Sequence, residues 1–335
     1  MIFLTARYPG TRHRSLTREP VGSVVAWQHA SRVDRSIRLG LFIRALVLVF
    51  VVGVRQVDLL DASAQGASWE CPSPAAVDAT PVGTPVTAGE AQVAFPVAGG
   101  DLTVFAAASL TDAFEAIEQE LEAANPNLSI TYNFGGSQAL VTQLEEGAQA
   151  DVFASANVPQ MDAAIAAGLV AGAPLPFAHN RLAIVTPADN PADIQSAADL
   201  GKDGVLLVLA QPEVPAGRYA RESVCLMATD TAAYGAGFVA QVAANVVSEE
   251  EDVRDVLAKV ALGEADAGIV YVSDAVAAGD QVHVVDIPDE VNVIATYPVA
   301  ILAGGDEALG SAFVSYLLSE EGQAMLERYG FQSVK

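Results

Sequence analysis

The clearest local signal in this 335-residue chain lies in one short stretch, Thr103-Val104-Phe105-Ala106-Ala107-Ala108-Ser109-Leu110. An apolar run that ends in small residues predicts a β-strand, and the amphipathic residues 110–124 after it predict a helix. Ser109 is predicted to cap that helix, with Asp112 as the acidic partner of a capping box. The first N–H groups of a helix lack partners and lie at the positive end of its dipole, so this junction suits an anion. A serine cap without any ligand is the alternative.

The body of the chain repeats this alternation of strand and helix from residue 101 onward. Strands are predicted at 102–107, 128–134, 151–155, 181–186, 205–209, 267–271 and 282–286, with an extended segment at 291–303. Helices are predicted at 110–124, 137–147, 158–167, 215–228, 249–262, 306–318 and 319–329. Successive βα units with short turns indicate an α/β protein with mainly parallel sheets. In such sheets, ligands bind beyond the carboxyl ends of the strands.

Similar junctions recur at three more places. Ser137 follows two glycines at a second strand-to-helix junction, Ala216 lies in the first turn of a helix that opens with Val214-Pro215, and Val253 begins another after Glu250-Glu251-Asp252. Tyr271 ends a strand and carries a phenol hydroxyl. With Ser109, these residues are predicted to surround one small tetrahedral dianion with neutral donors: hydroxyls, backbone N–H groups and a phenol. The pattern alone leaves open the alternative that these are separate structural features.

Charged side chains near these junctions have two interpretations. Arg218 and Arg254 each lie just inside a candidate helix start, where they could soften the potential around an anion. Surface ion pairs with Glu222 and Asp255 are the favoured interpretation.

The sequence does not favour catalysis or metal binding. No Gly-x-Ser-x-Gly motif is present, and Ser109 has no evident histidine partner for nucleophilic chemistry. The four histidines show no metal-ligand spacing, so no metal site and no cofactor are expected. The chain is therefore predicted to be a binding protein and not an enzyme.

Charge is distributed very unevenly along the chain. Of 17 basic residues, nine lie within the first 55 positions, and the net charge of the whole chain is −24. The body is therefore strongly acidic, which argues against nucleic acid or an anionic membrane surface as a partner.

The N-terminal region is predicted to direct export. Residues 1–64 are interpreted as a basic leader and signal peptide, because the apolar block 45–54 follows Arg44 and the cleavage pattern Ala62-Ser63-Ala64 comes after it. An uncleaved anchor at 39–54 is the alternative; either way the body is exported.

Residues 65–100 are rich in Pro, Ala and Thr and are predicted to form a disordered linker. The only two cysteines are Cys71 in this linker and Cys225 at an apolar helix position. Cys225 is interpreted as a core residue. The two could pair only if the linker folds back, so a disulfide is not expected.

An ordered set of segments between residues 101 and 335 resembles the periplasmic molybdate-binding proteins of ABC transporters. The segments are residues 105–111, 136–137, 150–156, 214–220, 251–254, 268–275, 297–300 and 328–331. The resemblance implies the two-lobed periplasmic-binding-protein fold of type II, each lobe a mixed, mainly parallel sheet flanked by helices. Lobe I would comprise 101–183 plus 291–335, and lobe II 184–290.

The resemblance also implies a function. The residues that bind the oxyanion in the family correspond here to Ser109, Ser137, Ala216, Val253 and Tyr271. The implied ligand is molybdate or tungstate. The implied partners are an ABC permease and its ATPase, and the protein would be a monomer in the periplasm or tethered to the outer face of the cytoplasmic membrane. Gly135-Gly136-Ser137-Gln138 departs from the family's serine-rich run, which could shift the anion preference. The alternative is the same fold used as a sensor or interaction module for another oxyanion or for no ligand.

Overall fold

The computed structural model describes residues 69–71 and 94–334. The predicted leader and signal peptide (1–64), the alternative anchor (39–54) and residues 65–68 and 72–93 of the predicted linker lie outside the described residues. Within the described part of the chain, no helix has the length and apolar character needed to cross a membrane.

The described strands form two five-stranded mixed sheets. The first sheet has the order β2-β1-β3-β10-β4 and contains β1 (Gly100–Ala107), β2 (Leu128–Gly135), β3 (Val152–Ala154), β4 (Val170–Asn180) and β10 (Ala295–Leu302). The second has the order β7-β6-β8-β5-β9 and contains β5 (Leu182–Pro187), β6 (Leu207–Ala210), β7 (Val246–Glu250), β8 (Ala267–Tyr271) and β9 (Val282–Asp286). Parallel pairs join β1 to β2 and β3, and β6 to β7 and β8, while β10 and β5 pair antiparallel with their neighbours.

Ten α-helices accompany the two sheets in the described residues. They are α1 (Thr111–Ala124), α2 (Ser137–Glu145), α3 (Val158–Ala166), α4 (Pro215–Met227), α5 (Thr231–Tyr234), α6 (Phe238–Asn245), α7 (Val253–Ala261), α8 (Val272–Ala278), α9 (Glu307–Leu317) and α10 (Glu320–Arg328). α1 shows how they pack: its buried Phe114, Ile117 and Leu121 repeat at helical spacing on one face. Strands between two helical layers are buried on both faces, and every residue of β5 and β8 is buried.

The chain passes between the two sheets twice. It leaves the first sheet at Arg181, between β4 and β5, and returns through residues 287–294, between β9 and β10. This topology confirms the predicted α/β class with two lobes. The exact lobe boundaries at 183/184 and 290/291 stay predictions.

One predicted helix was wrong at its start. Residues 249–262 do not form a single helix, because Val246–Glu250 form β7 and α7 begins only at Val253. β7 is an edge strand with alternating exposure, and it can therefore end in two glutamates. The segment lacks the apolar run that marks a buried strand, which is why the sequence did not predict it. β4, α5, α6 and α8 were not predicted either.

The prediction that the two cysteines stay unpaired was also wrong. Cys71 and Cys225 form a disulfide with a Cα–Cα distance of 5.5 Å, and Cys225 is half-buried on α4 rather than in the core. The described residues beside Cys71 lie against α4. The Trp69 ring is 5.2 Å from the Arg221 guanidinium and packs against the core. Disulfides persist in oxidising compartments, so this bond favours a location outside the cytoplasm.

Candidate functional site

The five predicted site residues line one small cavity between the two sheets. Its walls are Ala107, Ala108, Ser109, Gly135, Gly136, Ser137, Ala156, Val214, Pro215, Ala216, Asp252, Val253 and Tyr271. Ser109 and Ser137 come from the side of the first sheet, and Ala216, Val253 and Tyr271 from the side of the second. All five are at least 96% buried. The cavity has a volume of about 10 Å³, which is room for about one water.

Ser109 is held differently from the prediction. It does not cap α1: it lies inside a 3-10 turn, Ala108–Leu110, and the cap position of α1 is Leu110, without a side-chain cap. The capping box with Asp112 was therefore wrong. The extra turn between β1 and α1 buries the serine, whose Oγ lies 2.9 Å from the Oη of Tyr297.

A buried hydrogen-bond chain orients the Ser109 hydroxyl. The Oδ1 of Asn180 accepts the Arg181 N–H at 2.9 Å, so its Nδ2 is the donor to Tyr297 Oη at 3.4 Å and to Ser273 Oγ at 2.8 Å. With Asn180 donating, the hydroxyl hydrogen of Tyr297 is available to Ser109, whose own hydrogen can then point into the cavity. Burial raises the pKa of Tyr297 far above its ordinary value, so Tyr297 stays a neutral donor.

Sequence reasoning assigned no role to Asn180 or Tyr297. Tyr297 did fall in one of the segments that carry the family resemblance. A usable signal was a tyrosine in a predicted extended run of apolar residues, since a buried phenol needs a partner.

Ser137 is the first residue of α2, as predicted, and Gly136 is the cap. The Oγ of Ser137 accepts the N–H of Ala156 at 3.0 Å. Because that contact uses the oxygen as an acceptor, the hydroxyl hydrogen remains for the cavity. A Cβ at Gly136 would lie 2.6 Å from the Glu251 carbonyl oxygen on the opposite wall, so glycine lets the two walls approach.

The starts of α4 and α7 supply backbone donors from the opposite wall. α4 begins at Pro215, which has no N–H, and its cap residue Val214 makes no side-chain cap. The Ala216 N–H is therefore the first donor of that helix without an intrahelical partner. In α7 the cap residue Asp252 accepts the N–H groups of Arg254 and Asp255, at 2.8 and 3.1 Å, and not that of Val253. The Val253 N–H thus also lacks an intrahelical acceptor.

Tyr271 completes the same wall from the end of β8. Its side chain is 1% exposed, and its Oη makes no hydrogen bond of ordinary geometry among the described residues, although it lies close enough to the Tyr297 hydroxyl to interact with it. Burial raises its pKa well above the ordinary value, so the phenol is neutral. A buried hydroxyl at a cavity wall that lacks a well-formed hydrogen bond can donate to a ligand.

The predicted surface ion pair of Arg254 with Asp255 was wrong. The Arg254 guanidinium instead forms ion pairs with Asp112 on α1 and with Asp274 on α8, where Nε and Oδ1 are 3.1 Å apart. Among the described residues, Arg218 is exposed and forms no salt bridge, and no group of three or more His, Cys, Asp or Glu side chains is placed to hold a metal ion.

Asp274 leads to a predicted pH dependence of stability. Burial raises its pKa to about 7, against the opposing effect of Arg254. Between the ordinary aspartate pKa and 7, the folded protein therefore binds more protons than the unfolded chain. The contribution of Asp274 to the free energy of unfolding is greatest below pH 4 and falls as the pH rises to 8, by on the order of 4 kcal/mol.

Guanidinium unfolding of the wild type and of Asp274→Asn, between pH 4 and 8, measures this contribution. The wild type should lose stability relative to the variant as the pH rises. A difference between the two that does not change with pH would contradict the assignment.

Two mixed sheets joined by two crossovers, with a buried site between them, define the class of two-lobed periplasmic binding proteins. A solved structure, the periplasmic molybdate-binding protein of Azotobacter vinelandii, shares this fold with a TM-score of 0.61 and 18% identity. The alignment covers 70% of this chain and all of that one. The fold predicted from the sequence is thus confirmed.

The family follows from sequence comparisons. Residues 102–332 match the model of the family described as bacterial extracellular solute-binding protein. The molybdate-binding protein ModA of Mycobacterium tuberculosis is 42% identical over 231 residues, 69% of this chain and 84% of that one. ModA of Escherichia coli is 34% identical, over 72% of this chain and 95% of that one. The chain belongs to the family of bacterial extracellular solute-binding proteins, and its resemblance to molybdate-binding proteins is confirmed.

Proposed function

We propose that this protein captures molybdate, or tungstate, outside the cytoplasmic membrane and delivers it to the permease of an ABC importer, driven by its ATPase. One observation carries the proposal: a buried cavity whose described lining contains two serine hydroxyls, the Tyr271 phenol and two helix starts, and neither lysine nor arginine. Such a donor set suits a small tetrahedral dianion, which accepts hydrogen bonds and donates none. The named binding functions of the relatives support the choice of molybdate.

Neutral donors can hold a dianion when they are already in place. Each hydrogen bond to a charged group contributes about 1.5–3 kcal/mol net. The two serine hydroxyls are fixed by Tyr297 and Ala156, and the backbone donors by rigid helix starts. This preorganisation offsets part of the cost of removing water from the anion, because little side-chain entropy is lost on binding.

The binding cycle requires the lobes to move. Contacts close the cleft at two further places: Gln138 Nε2 donates to the Glu251 carbonyl at 3.0 Å, and Gln160 Nε2 to the Glu213 carbonyl at 3.3 Å. A tetrahedral oxyanion needs more room than about one water, so it enters when the lobes part at the two crossovers. We infer that it first meets one lobe, and that the second then closes to complete the donor shell.

Removing either serine hydroxyl tests the assignment. Ser109→Ala and Ser137→Ala should each weaken molybdate binding at least roughly tenfold, since each removes one donor to a charged ligand. Tyr271→Phe should have a milder but measurable effect. Isothermal titration calorimetry measures the dissociation constants, with the melting temperature of each ligand-free variant as the control for folding. Unchanged affinity in both serine variants would contradict the proposed ligand set.

A thermal-shift screen tests the ligand itself. Molybdate and tungstate should raise the melting temperature by several degrees, because a ligand that binds only the folded state stabilises it by mass action. Sulfate and phosphate should raise it far less. An equal response to sulfate would contradict selection by size, and no response to any of the four anions would favour the sensor or interaction role.

The remaining parts of the proposal concern place and partners. The disulfide between Cys71 and Cys225 supports an oxidising location. We propose a monomer that is either free in the periplasm or tethered by its N-terminal region to the outer face of the membrane. No catalytic step is proposed.

A further inference from the structure

Arg254 is an unusual residue for the place it occupies. It is the second residue of α7, directly after Val253, and a positive charge there lies at the unfavourable end of the helix dipole. Its side chain is nevertheless only 24% exposed. The guanidinium therefore owes its position to groups outside its own helix.

Two of those groups belong to the opposite side of the cleft. The Asp112 carboxylate, in the first turn of α1, forms an ion pair with the guanidinium. The Ala108 carbonyl oxygen accepts a hydrogen bond from Nε at 3.4 Å. Ala108 and Asp112 lie on either side of Ser109 in the chain, so Arg254 contacts the segment that carries this candidate anion-binding serine.

The third group belongs to the same side of the cleft as Arg254. Asp274 is completely buried, and its Oδ1 lies 3.1 Å from Nε. Its other oxygen accepts the backbone N–H of Tyr271 at 3.1 Å. Arg254 thus reaches Tyr271 through Asp274, and Val253 is its neighbour in the chain.

We propose that Arg254 is a positioning residue that latches the two lobes in the closed state and aligns Ser109, Val253 and Tyr271 around the anion. This inference rests on the proposed function. The guanidinium is engaged by the side chains of Asp112 and Asp274, so Arg254 acts on the protein rather than on the ligand. The bond to Asp112 exists only when the lobes meet, so the latch slows release of the anion and leaves capture nearly unchanged.

The dissociation rate of molybdate tests the latch. Labelled molybdate bound to the protein is chased with excess unlabelled anion. Arg254→Gln should release it roughly 10- to 100-fold faster, the range expected for losing charged hydrogen bonds, with an association rate within about threefold of wild type. Asp112→Asn should give about fivefold faster release. Arg218→Gln is the matched control, since it removes the same charge from another helix start beside the cavity, and its release rate should stay within about twofold of wild type.

A double variant separates a latch from a general loss of structure. Arg254→Gln with Asp112→Asn should release molybdate no faster than Arg254→Gln alone, because both changes break the same contact. The proposal would be overturned if the double variant released molybdate faster by the product of the two single effects. It would also be overturned if Arg254→Gln released molybdate as slowly as Arg218→Gln. If Arg254→Gln fails to fold, the release rate of Asp112→Asn tests the latch by itself. This variant should fold, because 40% of the Asp112 side chain is exposed.

Failure of the proposed function would look different. In that case the wild type would bind no labelled molybdate at all. Small-angle X-ray scattering of the ligand-free proteins would then test the latch, because Arg254→Gln should have a larger radius of gyration than Arg218→Gln. Equal radii would contradict it.

Discussion

Replacing Gly136 with alanine is expected to weaken molybdate binding at least roughly a hundredfold. The added Cβ would lie 2.6 Å from the Glu251 carbonyl oxygen, which is backbone on the opposite wall and cannot rotate away. The Gln138 side chain is also close but can move. The methyl group would therefore hold the cleft open and withdraw the proposed donors of Ala216, Val253 and Tyr271, and a donor to a charged ligand contributes about 1.5–3 kcal/mol.

Backbone strain does not complicate this test. Gly136 has φ −59° and ψ 133°, values that alanine adopts readily. Gly135→Ala is the matched comparison at the same junction, because its Cβ would meet only the Leu140 side chain, at 3.6 Å. It should lose at most a few-fold in affinity by calorimetry. Equal losses in the two variants, or tight binding by Gly136→Ala, would contradict closure as the source of affinity.

Breaking the disulfide is expected to cost about 2–5 kcal/mol in the free energy of unfolding. The two cysteines are 154 residues apart, so the bond restricts a long loop in the unfolded chain, and the chain-entropy model places the cost near the upper end of that range. Guanidinium unfolding of Cys71→Ser and Cys225→Ser, each against wild type, measures the loss. A reductant should destabilise the wild type by a similar amount and leave both variants unchanged.

Molybdate affinity should survive the loss of the disulfide. Cys225 lies nine residues along α4 from Ala216, about 13 Å along the helix axis, so the helix start can keep its geometry. A denaturation midpoint equal to that of wild type would show that the cross-link adds no stability. A large loss of affinity would show that it shapes the cleft.

The elements that the sequence predicted best are those with local causes. β8 and β9 were predicted with their exact bounds, since short apolar runs between turns correspond to buried or half-buried strands. β4 was missed because its prolines and glycine argue against a strand. It tolerates them as an edge strand of the first sheet, where β10 is its one partner among the described strands and a single bridge joins His179 to Gln332.

The candidate site also has features that local sequence signals predicted and contacts that they did not. The sequence placed Ser137, Ala216 and Val253 at helix starts, because caps, glycines and prolines mark such starts locally. It did not predict the bond between Ser109 and Tyr297, 188 residues apart, or that between Arg254 and Asp112, 142 residues apart. The pairing of Cys71 with Cys225 was missed for the same reason. Contacts over such separations depend on how the sheets are ordered, which no local pattern encodes.

The Tyr271 hydroxyl opposes closure of the ligand-free cleft, against the latch formed by Arg254 and Asp112. When the cleft closes without a ligand, this phenol loses its contact with water and gains no well-formed hydrogen bond in exchange, which costs up to about 1–3 kcal/mol. In the open form water can reach the hydroxyl, and in the closed form the proposed oxyanion would accept its hydrogen bond. An importer that recognises only the closed form would therefore hydrolyse ATP less often when the binding protein carries no ligand.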